Sequence, residues 1–180
     1  LNHISSFVYD EKLNIIEMVD PKGNSVKMTY DERRNPTSST DSLGRITSMV
    51  WDSEDRLTQV TDTNGQTTTM EYDSRSNLIS VTDPLEHQST MTYNGVGLPT
   101  SSTDPLGHTS TYSYDSRGFL RTKTAPASGD GNGPATWTYT VDSLGRTTQV
   151  KDPLERVSKI RFDERSRVVE STIPAVTAQV

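Results

Sequence analysis

The chain of 180 residues contains no cysteine, which excludes disulfides, thiolate metal ligands and a cysteine nucleophile. Hydrophobic residues are scarce, at 30%, and the mean hydropathy is −0.68. A chain this polar does not build a thick two-layer core. No run approaches the roughly 18 apolar residues of a membrane span. The first residues, Leu1 to Ile4, show neither a signal peptide nor an initiator methionine, so we expect a piece of a longer protein.

Positive charge is also in short supply. The formal net charge is −6 at pH 7, with 18 Lys and Arg against 24 Asp and Glu. A nucleic-acid partner would need a basic stripe, and none is present, so we expect no nucleic-acid binding. The charge per residue is too small to impose disorder by repulsion, and a folded chain is expected.

Threonine and serine dominate instead, with 26 and 22 copies, and they recur in a repeat. Threonine favours extended backbone because its branched Cβ packs well on a pleated surface. An aromatic residue followed by Asp or Asn recurs six times at intervals of 21 residues. The period widens to 27 once, where Val141 replaces the aromatic, and then returns. The repeating units begin near Tyr9, Tyr30, Trp51, Tyr72, Tyr93, Tyr114, Val141 and Phe162.

Three further positions keep the same register. An aspartate lies eleven residues after the aromatic, at Asp20, Asp41, Asp62, Asp83, Asp104 and Asp152. A glycine follows three residues later at Gly23, Gly44, Gly65 and Gly107, with Glu86 and Glu155 as exceptions. A methionine precedes the next aromatic by two residues at Met28, Met49, Met70 and Met91. Asp-Pro-x-Gly has the chemistry of a type I turn, so each unit holds two short strands and two turns.

The pattern predicts an all-β protein of about 14 or 15 antiparallel strands without helix. Tandem 21-residue β-hairpin repeats would form one continuous antiparallel strip across residues 1–180, with residues 125–134 as an inserted, protruding loop. Within a strand such as Thr67–Tyr72, alternate side chains separate a semi-apolar face from a threonine-rich face. Equivalent residues of successive units are expected about 10 Å apart, since two strands of about 4.8 Å separate them.

This pattern resembles the YD repeats, also called RHS repeats, and the resemblance covers residues 7–173. It implies a segment of a β-strip that spirals into a hollow shell, as in bacterial polymorphic toxins, toxin-complex subunits, wall-associated proteins and teneurins. The implied function is structural, in a secreted or cell-surface protein exported by bacteria. The implied partners are the rest of the shell and an enclosed C-terminal cargo domain. Fifteen strands would give only about 70 Å of strip. We therefore expect the chain not to enclose a cargo alone.

No group of residues indicates an enzyme, a cofactor or a metal. His87 and His108 lie one repeat apart, about 10 Å by strand spacing, which is too far for a shared zinc ion. The same spacing separates Asp83 from Asp104, whereas an aspartic dyad needs carboxylates about 3 Å apart. Turn capping is therefore the interpretation of these aspartates. The turns also offer too few oxygen ligands for calcium.

Two roles remain open for the ladder of aromatic and methionine side chains. The favoured one is packing between hairpins, because both residue types lie on one face, two residues apart. The alternative is a carbohydrate- or cell-surface-binding module that uses the aromatic face or the loop at 125–134. If Tyr72 is buried, its replacement by alanine should cost about 3–5 kcal/mol.

Overall fold

A computed structural model describes residues 4–127 and 133–174. Sixteen short strands form one open antiparallel sheet in chain order, and the described residues contain no helix. The all-β fold is confirmed. The strand count exceeds the expected 14 or 15, because each of the eight aromatic positions carries two strands. Half of the predicted loop at 125–134, residues 128–132, lies outside the described residues. Ala125 ends one strand and Ala135 begins the next.

The chain divides into two compact units, Leu1–Ser89 and Thr90–Val180. The first unit holds eight strands and the beginning of a ninth, and each of the first seven strands pairs with the next in antiparallel register. These strands are β1 (Ser6–Tyr9), β2 (Ile15–Val19), β3 (Ser25–Tyr30), β4 (Pro36–Thr40), β5 (Ile46–Trp51), β6 (Leu57–Thr61), β7 (Thr67–Tyr72) and β8 (Leu78–Thr82), followed by β9 (Gln88–Tyr93).

The second unit repeats the arrangement from the end of β9 onward, again with each strand paired to the next. Its strands are β10 (Pro99–Thr103), β11 (Thr109–Tyr114), β12 (Leu120–Ala125), β13 (Ala135–Val141), β14 (Thr147–Lys151), β15 (Val157–Phe162) and β16 (Val168–Thr172).

Fourteen of the connections between strands have the same hydrogen bonds. The N–H of the first turn residue donates to the carbonyl of the fifth, and the N–H of the fourth donates back to the carbonyl of the first. The fourth residue has positive φ in every one. This is a type I turn closed by a residue in the left-handed region, the usual solution for a three-residue hairpin loop. The aromatic–Asp turns and the Asp-Pro-x-Gly turns therefore share one geometry.

The sheet has no hydrophobic core. Among the described residues no hydrophobic side chain is fully buried, and only Ser80, at 4% exposure, falls in the buried class. Alternation in β7 still distinguishes the two faces: Thr68, Met70 and Tyr72 are half-buried, whereas Thr69 and Glu71 are exposed. A single layer explains this, because nothing in the described residues packs against either face.

Candidate functional site

The turn aspartates act as caps, and Asp73 shows the arrangement. Its Oδ1 accepts the backbone N–H groups of Arg75 and Asn77 at 2.8 and 2.9 Å, and its Oδ2 accepts the side-chain amide of Asn77 at 2.9 Å. These hydrogen bonds, first from the side chain and then from the backbone of Asn77, lower the pKa of the Asp73 carboxyl. The capping carboxylate thus holds the turn and is not free for chemistry.

The same cap recurs at the other turns, with the carboxylate accepting backbone N–H groups two and four residues ahead. Its members are Asp10, Asp20, Asp31, Asp41, Asp52, Asp62, Asp83, Asp104, Asp115, Asp142, Asp152 and Asp163, with Asn94 in the equivalent place. The sequence-predicted residues Asp20, Asp41, Asp62, Asp83, Asp104 and Asp152 are all among them.

The caps also involve a polar side chain four residues after the Asp, which the sequence analysis did not predict. Asn, Arg, His or Gln lies four residues after the capping Asp in twelve of the fourteen turns, and in most of these its side chain binds Oδ2. His87 and His108 are members of this group, with Nδ1 at 2.9 Å from Oδ2 of Asp83 and Asp104. The spacing of four residues from each Asp is the signal that could have revealed it.

The predicted glycines occupy the fourth turn position, where φ is positive. Gly23, Gly44, Gly65 and Gly107 have φ between 78° and 87°. Glu86 and Glu155, which replace glycine in the repeat, adopt a φ of 64° and keep the turn hydrogen bonds. The two departures from the pattern therefore do not change the fold.

The ladder aromatics are anchored by their polar atoms. The hydroxyl of Tyr30 donates to the carbonyl of Ile15 at 2.8 Å. Equivalent bonds run from Trp51 Nε1 to Pro36, from the Tyr72 hydroxyl to Leu57 and from the Tyr114 hydroxyl to Pro99, at 2.7 to 2.9 Å. Each acceptor lies 15 residues earlier, at the first residue of the preceding strand. Tyrosine and tryptophan thus supply a donor that phenylalanine lacks.

A β-bulge lies next to each of the backbone carbonyls that accept these hydrogen bonds. In each hairpin closed by an aromatic–Asp turn the register shifts by one residue, so that Val8 lies opposite Glu17 but Tyr9 lies opposite Ile15. The extra residue, Ile16, is a β-bulge, and such bulges are built to re-aim strand ends. The methionines lie beside the rings: Sδ of Met28 is 3.4 Å from the Tyr30 hydroxyl, and Sδ of Met91 is 3.6 Å from that of Tyr93.

The remaining ladder positions differ. Tyr9 is 52% exposed, Phe162 has no donor, and Met49 and Met70 lie in half-buried positions opposite Val60 and Val81. The expected cost of about 3–5 kcal/mol for Tyr72→Ala assumed that the Tyr72 side chain is buried. The side chain is only half-buried, so we expect the replacement to cost less.

Arginines link successive repeats along the edge that carries the aromatic–Asp turns. Arg56 Nη1 donates to the carbonyl of Asp73 at 3.0 Å while its guanidinium lies 5.1 Å from the centre of the Tyr72 ring. Arg146 Nη1 donates to the carbonyl of Asp163 at 3.1 Å, with its guanidinium 4.8 Å from the Phe162 ring. Arg33 and Arg117 make similar bonds to the next such turn. These bonds hold consecutive hairpins together.

The threonine-rich face offers hydroxyls that bind one another across strands. Thr61 and Thr67 lie 2.9 Å apart through their Oγ1 atoms, and Thr103 and Thr109 lie 2.8 Å apart. A concavity of about 780 Å³, open to solvent, borders this face and is lined by polar side chains that include Thr69, Thr82 and Gln88. No cluster of three or more possible metal ligands occurs in the described part of the chain, and no helix there is fit to cross a membrane.

The family model described as RHS Repeat matches residues 9–46, 51–87 and 93–130, which together are more than half of the sequence. The chain therefore belongs to the RHS repeat family. A search of curated proteins found no match.

Solved structures of Tc toxin assemblies share the fold. The chain superimposes on the TcdB2-TccC3-Cdc42 structure with a TM-score of 0.76 at 19% identity over 92% of its length. For TcdB2-TccC3 the TM-score is 0.73, with 20% identity over 92% of the chain. For the Photorhabdus luminescens Tc holotoxin pore it is 0.68, with 15% identity over 98% of the chain. This chain spans only 10%, 10% and 12% of those three chains.

Proposed function

We propose that this chain is a structural segment of the wall of an RHS β-shell, with no chemistry of its own. The observation that carries the proposal is the single-layer sheet, in which no hydrophobic side chain of the described residues is fully buried. A free-standing domain buries apolar side chains between layers. A wall, in contrast, presents one face inward and one outward, and its faces differ here in polarity.

The chemistry of the turns supports a structural role. The histidines that could suggest a zinc site and the aspartates that could suggest a catalytic dyad are occupied in caps, with His87 bound to Asp83 and His108 to Asp104. By the same proposal the parent protein is a secreted or cell-surface bacterial protein. Its remaining repeats would complete the shell, and a C-terminal domain would be the enclosed cargo.

Cysteine labelling of the parent protein tests this proposal. The chain lacks cysteine, so Thr68→Cys on the aromatic face and Thr69→Cys on the threonine-rich face each introduce a unique thiol in this segment, on adjacent residues of β7. A bulky maleimide should label only one of the two in the assembled protein, and both once the shell is opened by denaturant. The isolated chain supplies the reference rates for each position. Equal labelling of both positions in the assembled protein would rule out a wall.

The alternative is a module that binds carbohydrate or a cell surface. Against it, Tyr30, Trp51, Tyr72 and Tyr114 each donate their side-chain N–H or O–H hydrogen to a backbone carbonyl, so that hydrogen is not available to a sugar. Binding on a glycan array that disappears in Tyr72→Ala, while the β-sheet circular dichroism persists, would favour this alternative. Absence of binding by the wild-type chain would dismiss it.

A further inference from the structure

The charged side chains of the strands are divided unequally between the two faces of the sheet. Nine charged residues lie within the described strands, and seven of them belong to the threonine-rich face. Glu71 directly precedes Tyr72 in β7 and therefore points to the side away from the ring. Arg161 directly precedes Phe162 in β15 and lies opposite Glu170 of β16. Charge is most stable in bulk water, so this distribution favours a threonine-rich face that is turned to bulk water.

The aromatic face has the opposite character. It carries the ladder of tyrosine, tryptophan and methionine side chains, which are only half-buried in β5, β7 and β9 because the sheet is a single layer. An extended semi-apolar surface that stays in bulk water marks a binding site or causes aggregation. A shell wall withdraws this surface from bulk water when the aromatic face is turned to the cavity.

Lys123 of β12 is the charged side chain that lies among the rings of the aromatic face. It lies directly opposite Tyr112 of β11 on one side and Trp137 of β13 on the other, and all three are half-buried. Its Nζ lies 5.9 Å from the centre of the Trp137 ring. Arg121, the ninth charged strand residue, lies at the bulge of β12, with Nη2 at 3.5 Å from Oδ2 of Asp115. Lys123 thus presents an ammonium group between two rings.

The other repeats show that this group is not required by the fold. Nine residues after the aromatic position, the seven other units have Met, Ser or Val, and only Lys123 is charged. Four residues before the aromatic position, the seven other units have Ser, Thr or Val, and only Trp137 is aromatic. Both departures from the repeat meet at one cross-strand pair. Departures from a pattern that the rest of a molecule keeps are expected at functional positions.

We propose that the aromatic face lines the cavity of the shell, where Lys123, Tyr112 and Trp137 contact an acidic, apolar segment of the enclosed polypeptide. This inference rests on the proposed function, because it requires a wall. The ammonium group pairs with one carboxylate, and the rings on both sides cover the apolar side chains next to that Asp or Glu. A nucleic acid would require a stripe of cations, which this face does not supply.

Cysteine labelling of the parent protein identifies the inward face. In the assembled protein a bulky maleimide should react with Thr69→Cys, whereas Thr68→Cys should react only after denaturant opens the shell. The reverse order would overturn this inference and leave the wall intact. Equal labelling of the two positions would overturn the wall itself, and the inward face with it.

Photo-crosslinking in the parent protein identifies the partner of Lys123. With p-benzoylphenylalanine in place of Trp137, crosslinks should reach a peptide of the enclosed polypeptide that contains Asp or Glu beside apolar residues. The same photoreactive residue in place of Thr138, on the threonine-rich face of the same strand, should give no such crosslink. Crosslinks from position 137 to other repeats of the shell, or to no polypeptide, would contradict the contact. Replacement of Tyr112 provides the same test if replacement of Trp137 prevents folding.

Reversal of one charge separates the ammonium group from the rings. Lys123→Glu should lower the crosslinking yield from position 137 several-fold, because two carboxylates would then face each other. Lys159→Glu makes the same change on the threonine-rich face of β15 and should leave the yield unaltered. Lys123→Arg keeps the charge and should retain the crosslink. A yield unchanged in Lys123→Glu would show that the segment bound there is not acidic.

Discussion

The fourth residue of each turn shows how the repeat tolerates sequence change. Seven of the fourteen turns have glycine there, and seven have another residue at φ between 59° and 73°. The left-handed region costs a non-glycine residue about 1–2 kcal/mol, so the surrounding hydrogen bonds must impose it. Ser76 is such a residue, with φ of 63° and a backbone bond to the carbonyl of Asp73.

Exchanging residues at this position should change stability in opposite directions. Gly65→Ala is expected to destabilise by about 1 kcal/mol, and Ser76→Gly to stabilise by up to about 1 kcal/mol. A Cβ on Gly65 would meet nothing within 4 Å, so the cost is conformational alone. Urea unfolding of both variants measures the effect. Equal stability of Gly65→Ala and the wild type would show that the turn does not enforce positive φ.

At the scale of the hairpin, the aromatic hydroxyl joins one strand to the next. Tyr72→Phe removes the 2.9 Å bond to the Leu57 carbonyl and keeps the ring, so we expect a loss of about 0.5–1.5 kcal/mol. Tyr72→Ala also removes the half-buried ring, and its cost should rise to about 2–3 kcal/mol. Denaturant unfolding gives both values. If phenylalanine proved as stable as tyrosine, the hydroxyl bond would not explain the residue choice.

The arginine link between hairpins can be separated from the cap it also serves. Arg146 binds Asp142 and in addition the carbonyl of Asp163 and the Phe162 ring, whereas Arg156 binds its own cap, Asp152. Lysine cannot form both bonds and stack at once. Arg146→Lys should therefore cost about 1 kcal/mol, and Arg156→Lys clearly less. Similar losses in the two variants, measured by thermal unfolding, would show that the link contributes nothing.

The period of 21 residues was sufficient to predict strands, turns and their order, because turn chemistry and alternation are local. The period did not reveal that Asp73-Ser74-Arg75-Ser76-Asn77 and Asp62-Thr63-Asn64-Gly65-Gln66 form the same turn. The fourth turn residue, which has positive φ, is glycine in only one of the two. The bulge at Ile16 was also missed, because it depends on pairing with Tyr9. The packing of the aromatic and methionine side chains between hairpins was predicted from residue type alone. Residue type does not show that the sheet is a single layer, and in a single layer Tyr72 is only half-buried.

For the whole molecule, the caps make stability depend on acid. Thirteen turn aspartates have a lowered pKa. At Asp62 the cause is hydrogen bonding from the backbone N–H groups of Gln66 and Asn64. Each carboxylate is favoured by folding, because the unfolded chain holds an aspartate with a pKa of about 3.9. The unfolded state therefore binds more protons than the folded state in acid, and the free energy of unfolding must decrease as the pH is lowered.

The sign of the linkage sets the pH window. The stabilisation from the caps is complete above the unfolded pKa of about 4 and is lost as the pH falls through the lowered folded values. We expect the thermal midpoint to stay level from pH 7 to about 5 and to drop steeply below about 4. The bonds to backbone N–H groups are short-ranged, so added salt should shift this drop little. A midpoint unchanged down to pH 3 would mean that the aspartates do not stabilise the turns, and the shared cap could not then explain how fourteen dissimilar turns keep one geometry.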